Sequence, residues 1–284
     1  NNEERYLGTE TKYKDNTGIK RIGKFSLVGF LAEKGKQGFS DSEIKVLSAI
    51  SSNEGLFDAL NTYDGAFLSF GIQQWNLGGG SNPGELPALL MVLKDKFPNT
   101  FNKFFGKYGM DINIPKNGQT GFLLLDGRIL KDPIKKKEIQ ENIWLLRFMK
   151  AGQDYNVAYI QMEYSINRLK MFYTIPNKNL DSYALSDLLT SEYSVAQLLD
   201  THVNRPAFVY GLVKKTLIEL NLRPVDLINK EIKEFDFMEK FLKLRKDYTE
   251  KQGQNPMTHS TDRGNSIKSK GLLTDKETYK SSML

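Results

Sequence analysis

Between Ser51 and Trp75 the chain reads SSNEGLFDALNTYDGAFLSFGIQQW, and this stretch gathers the polar side chains that hydrolysis of a sugar–sugar bond needs. Such hydrolysis usually takes two carboxyl groups: one protonates the leaving oxygen, the other attacks the sugar carbon or activates water. Glu54 and Asp64 stand ten positions apart on either side of a turn region, so a fold can face them across a cleft. Ser69, five positions after Asp64, is a candidate to hold the attacking water. Asn61, Tyr63, Gln73 and Gln74 can hydrogen-bond sugar hydroxyls, and Trp75 or Tyr63 can stack on a ring face. Each residue alone has an ordinary use. A Glu just past a helix is most often solvated, Asp-Gly is most often only a turn, and a Trp is more often core than platform. It is their arrangement that points to chemistry.

The elements that must position these groups can be read around them. Ser40 and Glu43 have capping-box spacing, with Phe39 placed to pack on Ile44. Ile44, Leu47 and Ile50 then share a face, which predicts a helix over 41–52 that stops at Asn53-Glu54-Gly55. A carboxyl there feels the negative end of the helix dipole, and apolar neighbours such as Phe57, Phe67 and Trp75 would further favour the neutral form a general acid requires. Asn61 to Gly65 reads as a turn, 66–75 as an extended run, and the Gly-rich 77–87 as a loop at the rim of a groove. No Lys-Ser/Thr follows that loop, so it is not a phosphate-binding P-loop.

Elsewhere the pattern is mainly helical. Helices are expected over 85–97, 100–108, 133–150, 156–173, 181–189, 191–203, 204–220, from Pro224, and over 235–251. Phe97, Phe101, Phe104 and Phe105 read as core. Residues 122–130 read as a hairpin turning at Asp126-Gly127, and Lys135-Lys136-Lys137 as a solvated helix face. Residues 1–38 suggest an arm with one or two short strands, including alternation at 19–22 and 25–28. The polar stretch 252–284 suggests a tail that orders only against a protein partner.

Composition bounds the function. Hydrophobic content of 39% supports a packed core, and no apolar run is long enough for a membrane span. Cysteine is absent and there are only two histidines, His202 and His259, far apart. This removes thiolate chemistry and argues against a metal site, so no cofactor is expected. A net charge of +6 reads either as solubility alone or as attraction to an anionic polymer such as nucleic acid, an acidic membrane surface or a bacterial cell wall. The chain begins at Asn1 rather than Met and shows no leader, which leaves room for a lost leader or fused segment.

Glu54 followed by Ser69-x-Gly71-Ile72-x-Gln74 resembles the catalytic Glu and Ser-x-Gly-Leu-Met-Gln-type signature of goose-type lysozymes and soluble lytic transglycosylases. Asp64-Gly65-Ala66-Phe67-Leu68-Ser69-Phe70-Gly71-Ile72 is similar to the Asp-Gly-x-x-x-Thr-x-Gly-Ile run of lysozyme-like chitosanases, whose Asp is the general base and whose Thr positions water. Leu198 to Asn204 is similar to a late segment of those chitosanases. Ser69 stands for the Thr, Ala66 for an Arg, and the Glu-to-Asp spacing is shorter. In the transglycosylases no second carboxylate is required.

The resemblance implies a mainly α, lysozyme-like α+β fold: a helical domain over 39–251 with a small β-hairpin region beside the cleft. It implies a peptidoglycan glycosidase of muramidase type that cleaves the MurNAc–GlcNAc backbone, with Glu54 as acid, Asp64 as base and Ser69 as water holder. The alternatives are a chitosanase-type hydrolase and a non-catalytic structural or wall-binding member of a larger assembly. The expected partner is peptidoglycan or a related amino-sugar polysaccharide, not nucleic acid. The expected location is extracellular, periplasmic or delivered to the cell wall.

Overall fold

Ser40 and Glu43 close the capping box that their spacing predicts. The Glu43 backbone N–H donates to Ser40 Oγ (3.1 Å), and the Ser40 N–H donates to Glu43 Oε2 (2.7 Å). The structure, a computed structural model, describes residues 7–115, 118–249, 257, 259–275 and 278–284, without the side chains of Ser52 and Glu54.

In chain order, the hairpin β1 (Thr9–Tyr13) and β2 (Asn16–Arg21) leads into α1 (Leu27–Lys34) and α2 (Asp41–Glu54). Three short strands come next: β3 (Leu60–Asn61), β4 (Ser69–Phe70) and β5 (Trp75–Asn76). After them are α3 (Leu86–Lys96), α4 (Pro98–Phe104), and the strands β6 (Met110–Asn113), β7 (Phe122–Leu125) and β8 (Arg128–Ile129). The helices α5 (Pro133–Lys137), α6 (Asn142–Gly152), α7 (Tyr155–Asn167) and α8 (Leu185–Leu188) precede α9 (Glu192–Asn204) and α10 (Phe208–Glu219). The last are α11 (Pro224–Ile228), α12 (Glu234–Arg245) and α13 (Ser260–Lys268). The protein is about half helical with small antiparallel sheets, broadly α+β.

The chain divides into two units. The first comprises Asn1–Gly35 and Glu54–Tyr164; the second comprises Lys36–Asn53 and Ser165–Leu284. The first unit holds both sheets, ordered β1-β2-β3-β4-β5 and β6-β7-β8, with every pairing antiparallel. Its core is aromatic: Phe70 and Phe105 both pack on Phe148, at 5.4 and 4.9 Å between ring centres. The second unit buries an aliphatic and aromatic cluster in which Val46, Ala49 and Ile50 of α2 join residues of α9, α10 and α12.

The Asp126-Gly127 hairpin forms as its sequence predicts, with both turn residues at positive φ (49° and 75°), the geometry that two-residue hairpins favour. Residues 25–28 differ from expectation. They are not a strand, because Ser26 Oγ accepts from the Gly29 N–H (3.1 Å) and caps α1. A four-residue alternation is too short to outweigh a good cap. The single helix predicted over 133–150 is broken. A 3-10 turn, Glu138–Gln140, succeeds α5, and Glu141 is extended (ψ 139°) before α6 starts.

The described residues of 252–284 (257, 259–275 and 278–284) hold more structure than the composition of the stretch suggested, and the rest of that expectation lies outside the described residues. Ile267 of α13 is fully buried, and the Gly264 carbonyl accepts from Gln197 Nε2 (3.0 Å). Buried Glu43 accepts from Ser281 Oγ and from Ser282 Oγ and N–H, at 2.5, 2.8 and 3.1 Å. Met257, Ile267 and Leu272 join the buried cluster of the second unit, and these hydrogen bonds add to that anchoring.

Candidate functional site

The strands β3, β4 and β5 decide which way each candidate side chain points. Asn61 pairs with Ser69 and Ser69 with Asn76; Leu60 pairs with Phe70 and Phe70 with Trp75. Cross-strand partners share a face of the sheet. One face is therefore the polar row Asn61, Ser69, Asn76, which β2 extends with Lys20 opposite Asn61. The other is Leu60, Phe70 and Trp75, each no more than 1% exposed.

Asp64 is fixed beside the polar row. Asn61 Nδ2 donates to Asp64 Oδ2 (3.0 Å), and the Ala66 N–H donates to Asp64 Oδ1 (2.9 Å). Asn61 is itself oriented by the Tyr63 N–H, which donates to its Oδ1 (3.1 Å). Gln140 braces this turn from outside: its Nε2 donates to the carbonyls of Thr62 and Phe67, at 3.0 and 2.9 Å. Phe67 sits at φ 67°, a conformation bulky residues rarely adopt. The result is a partly exposed carboxylate held by two neutral donors, beside a polar strand face.

The hairpin between β4 and β5 is equally constrained. Gly71 has φ 79°, and a side chain there would collide with Gln161 Oε1. Gln161, on α7, accepts from the Ile72 N–H (3.0 Å) and donates to the Phe57 carbonyl (2.9 Å), so it ties the hairpin to the segment leaving α2. Gln74, at φ 49°, donates through Nε2 to the Gly71 carbonyl (2.8 Å). That amide nitrogen lies 3.7 Å from where a Gly55 Cβ would be, so it abuts the residue after Glu54. Glu54 is the last residue of α2; its side chain lies outside what the structure describes.

The structure thus brings Asn61, Asp64 and Ser69 together, and it brings Gln74 to Gly55. Three candidates are buried. Ser69 and Gln73 are each 4% exposed and Trp75 1%. Trp75 packs edge-on against Tyr164 (5.9 Å), so its ring is core rather than a sugar platform. The Gln73 amide and Trp75 Nε1 are buried with no hydrogen-bond partner among the described residues, so as placed they do not reach a glycan in solvent. Tyr63 is half-buried and meets Tyr13 edge-on at 6.5 Å. Of the 198–204 segment, residues 198–202 are buried, Val203 is half-buried and Asn204 is exposed. Asp200 is buried between Arg245 and Arg263, at 2.6 and 2.5 Å, and burial together with Arg168 pushes the His202 imidazole down to about 3.

Sequence reasoning passed over Gln140 and Gln161 and placed Lys136 on a solvated helix face. Gln161 falls at helical spacing between Val157 and Tyr164 on the inward stripe of α7, and a polar residue on such a stripe is the signal that could have found it. Lys136 does not lie on a solvated face. It is 1% exposed, and its Nζ donates to the carbonyls of Gly78 and Asn82 (2.7 and 2.6 Å), which pins the Gly-rich loop.

Among the described residues no group of three or more His, Asp or Glu is arranged to hold a metal, and no helix is long and apolar enough to cross a membrane. No known protein family, curated protein or solved structure matches the chain.

Proposed function

We propose that the protein is a lysozyme-like glycosidase that cleaves the MurNAc–GlcNAc backbone of peptidoglycan. Glu54 is its proton donor, Asp64 its base or cation stabiliser, and peptidoglycan outside the cytoplasm its substrate. The observation that carries this reading is the convergence on one sheet. The hairpin after Asn61, Asp64 and Ser69 returns the Gln74 amide to the backbone that immediately succeeds Glu54. The order of elements supports it as well: a helix ending in Glu, then three short antiparallel strands. The basic balance favours an anionic wall over chitosan, a polycation.

The burial of Ser69, Gln73 and Trp75 favours a second reading, a non-catalytic member that keeps the fold. Digestion of purified peptidoglycan, with mass spectrometry of the soluble products, separates the two. A muramidase releases fragments with a reducing MurNAc end. Anhydro ends would instead define a transglycosylase, for which Asp64→Asn costs little. No release from peptidoglycan or from chitosan would leave the non-catalytic reading.

A further inference from the structure

A second feature of the first unit takes no part in the candidate site. Between α4, with the 3-10 turn Gly106–Tyr108 next to it, and α6 runs a groove of about 630 Å³. Four cations line it, Lys103, Lys107, Arg147 and Lys150, against one carboxylate, Asp154, which pairs with Lys103 at 3.2 Å. Among the described residues, Lys107, Arg147 and Lys150 have no carboxylate partner. Arg147 is held in place: its guanidinium lies 3.7 Å from the centre of the Tyr108 ring and 4.3 Å from that of Trp144. A fixed guanidinium flanked by exposed lysines, over a floor containing Phe104 and Leu146, is built to take negative charges separated by short uncharged spacers.

We propose that this groove binds a polyol-phosphate polymer, a chain of phosphodiesters joined by short uncharged spacers. Single-stranded nucleic acid fits less well, because its bases need a free aromatic face to stack on. Here the Tyr108 face already carries Arg147, with Lys107 at 4.9 Å, while Trp144 and Phe104 are buried. An acidic peptide also fits less well, because its backbone groups need neutral partners. The one side-chain amide in the lining, Gln153, already donates to Asp58 (3.0 Å). The inference is independent of the glycosidase reading, since it concerns binding alone and none of the candidate catalytic residues.

The test is binding of fluorescein-labelled poly(glycerol phosphate) to the full chain, read by polarisation. Wild type is compared with Lys107→Glu/Lys150→Glu in the groove and with Lys214→Glu/Lys215→Glu on the exposed face of α10. The two pairs change net charge equally, and all four lysines are exposed, so each variant should fold. The groove variant should weaken binding by about tenfold or more and the α10 variant by less than about twofold, with affinity falling as salt rises from ~50 to ~200 mM. Equal losses in the two variants, or no binding at the lower salt, would overturn the proposal. So would displacement of the probe by oligothymidylate or polyglutamate at lower monomer concentration than by unlabelled poly(glycerol phosphate).

Discussion

Asp64 owes its orientation to Asn61, and this dependence can be measured. Asn61→Ala removes the Nδ2 donor to Asp64 Oδ2 and leaves the Ala66 bond in place. If Asp64 acts on water or on the developing cation, the variant should lose roughly tenfold in wall-digestion rate with its melting curve nearly unchanged, because a slightly misplaced group is costly in catalysis. Unchanged turnover would show that the orientation of Asp64 does not matter. Gln161 calls for a different assay. Gln161→Leu strands the Ile72 N–H and the Phe57 carbonyl in the interior, and each buried group left unpaired costs about 1–3 kcal/mol. The urea midpoint should drop accordingly; a midpoint equal to wild type would mean water replaces both bonds. The clustering of Asn61, Asp64 and Ser69 was legible because a short turn forces nearby residues together. The inward placement of Gln73 and Trp75 was not. Read as one extended run, 66–75 has no defined phase; only the turn after Phe70 places Trp75 opposite Phe70 and hence on the buried face.

The β4–β5 hairpin is the element on which the candidate site depends most. Gly71→Ala combines a left-handed φ of 79° with a collision against the Gln161 side chain, whereas Gly127, at φ 75°, has open space around it. Backbone strain alone should make Gly127→Ala lose about 1 kcal/mol, and the added clash should raise the loss at Gly71→Ala to about 3 kcal/mol or more. Equal losses by chemical denaturation would show that Gln161 yields freely. The limits of sequence reading at this scale have specific causes. Three consecutive lysines on a helix span more than half its circumference, so one of them, Lys136, can face inward and find carbonyls to bond. Likewise α13 buries a single large apolar side chain, Ile267, and otherwise docks through Gly264 and Arg263, so hydrophobic periodicity could not announce it.

At the scale of the whole molecule, buried titratable groups set how stability responds to acid. His202 is neutral in the folded protein, accepting at Nδ1 from Arg168 Nε (3.0 Å). Burial, with help from that arginine, takes it from 6.5 to about 3. The unfolded chain therefore binds the extra proton first as pH falls. The stability from this group is complete above about pH 6.5 and declines toward about pH 3, by up to about 1.4 kcal/mol per pH unit. Burial pushes the Asp58 and Asp200 carboxyls up, but the hydrogen bonds from Arg21, the Phe25 N–H, Gln153 and the Lys24 N–H to the first, and Arg245 and Arg263 beside the second, together more than reverse this. Both thus sit below the usual carboxylate range and add their own losses below about pH 4. Urea midpoints should be lower at pH 5 than at pH 7, and His202→Gln should narrow that gap; an unaltered gap would assign the acid sensitivity elsewhere. The proposed activity comes down to a single carboxyl at the end of α2. Its most direct test is turbidity clearing of purified cell walls by wild type and by Glu54→Gln at equal concentration, with matched circular dichroism. Glycosidase chemistry at Glu54 predicts clearing by the wild type and none by the variant, with identical spectra; equal clearing by both would contradict it.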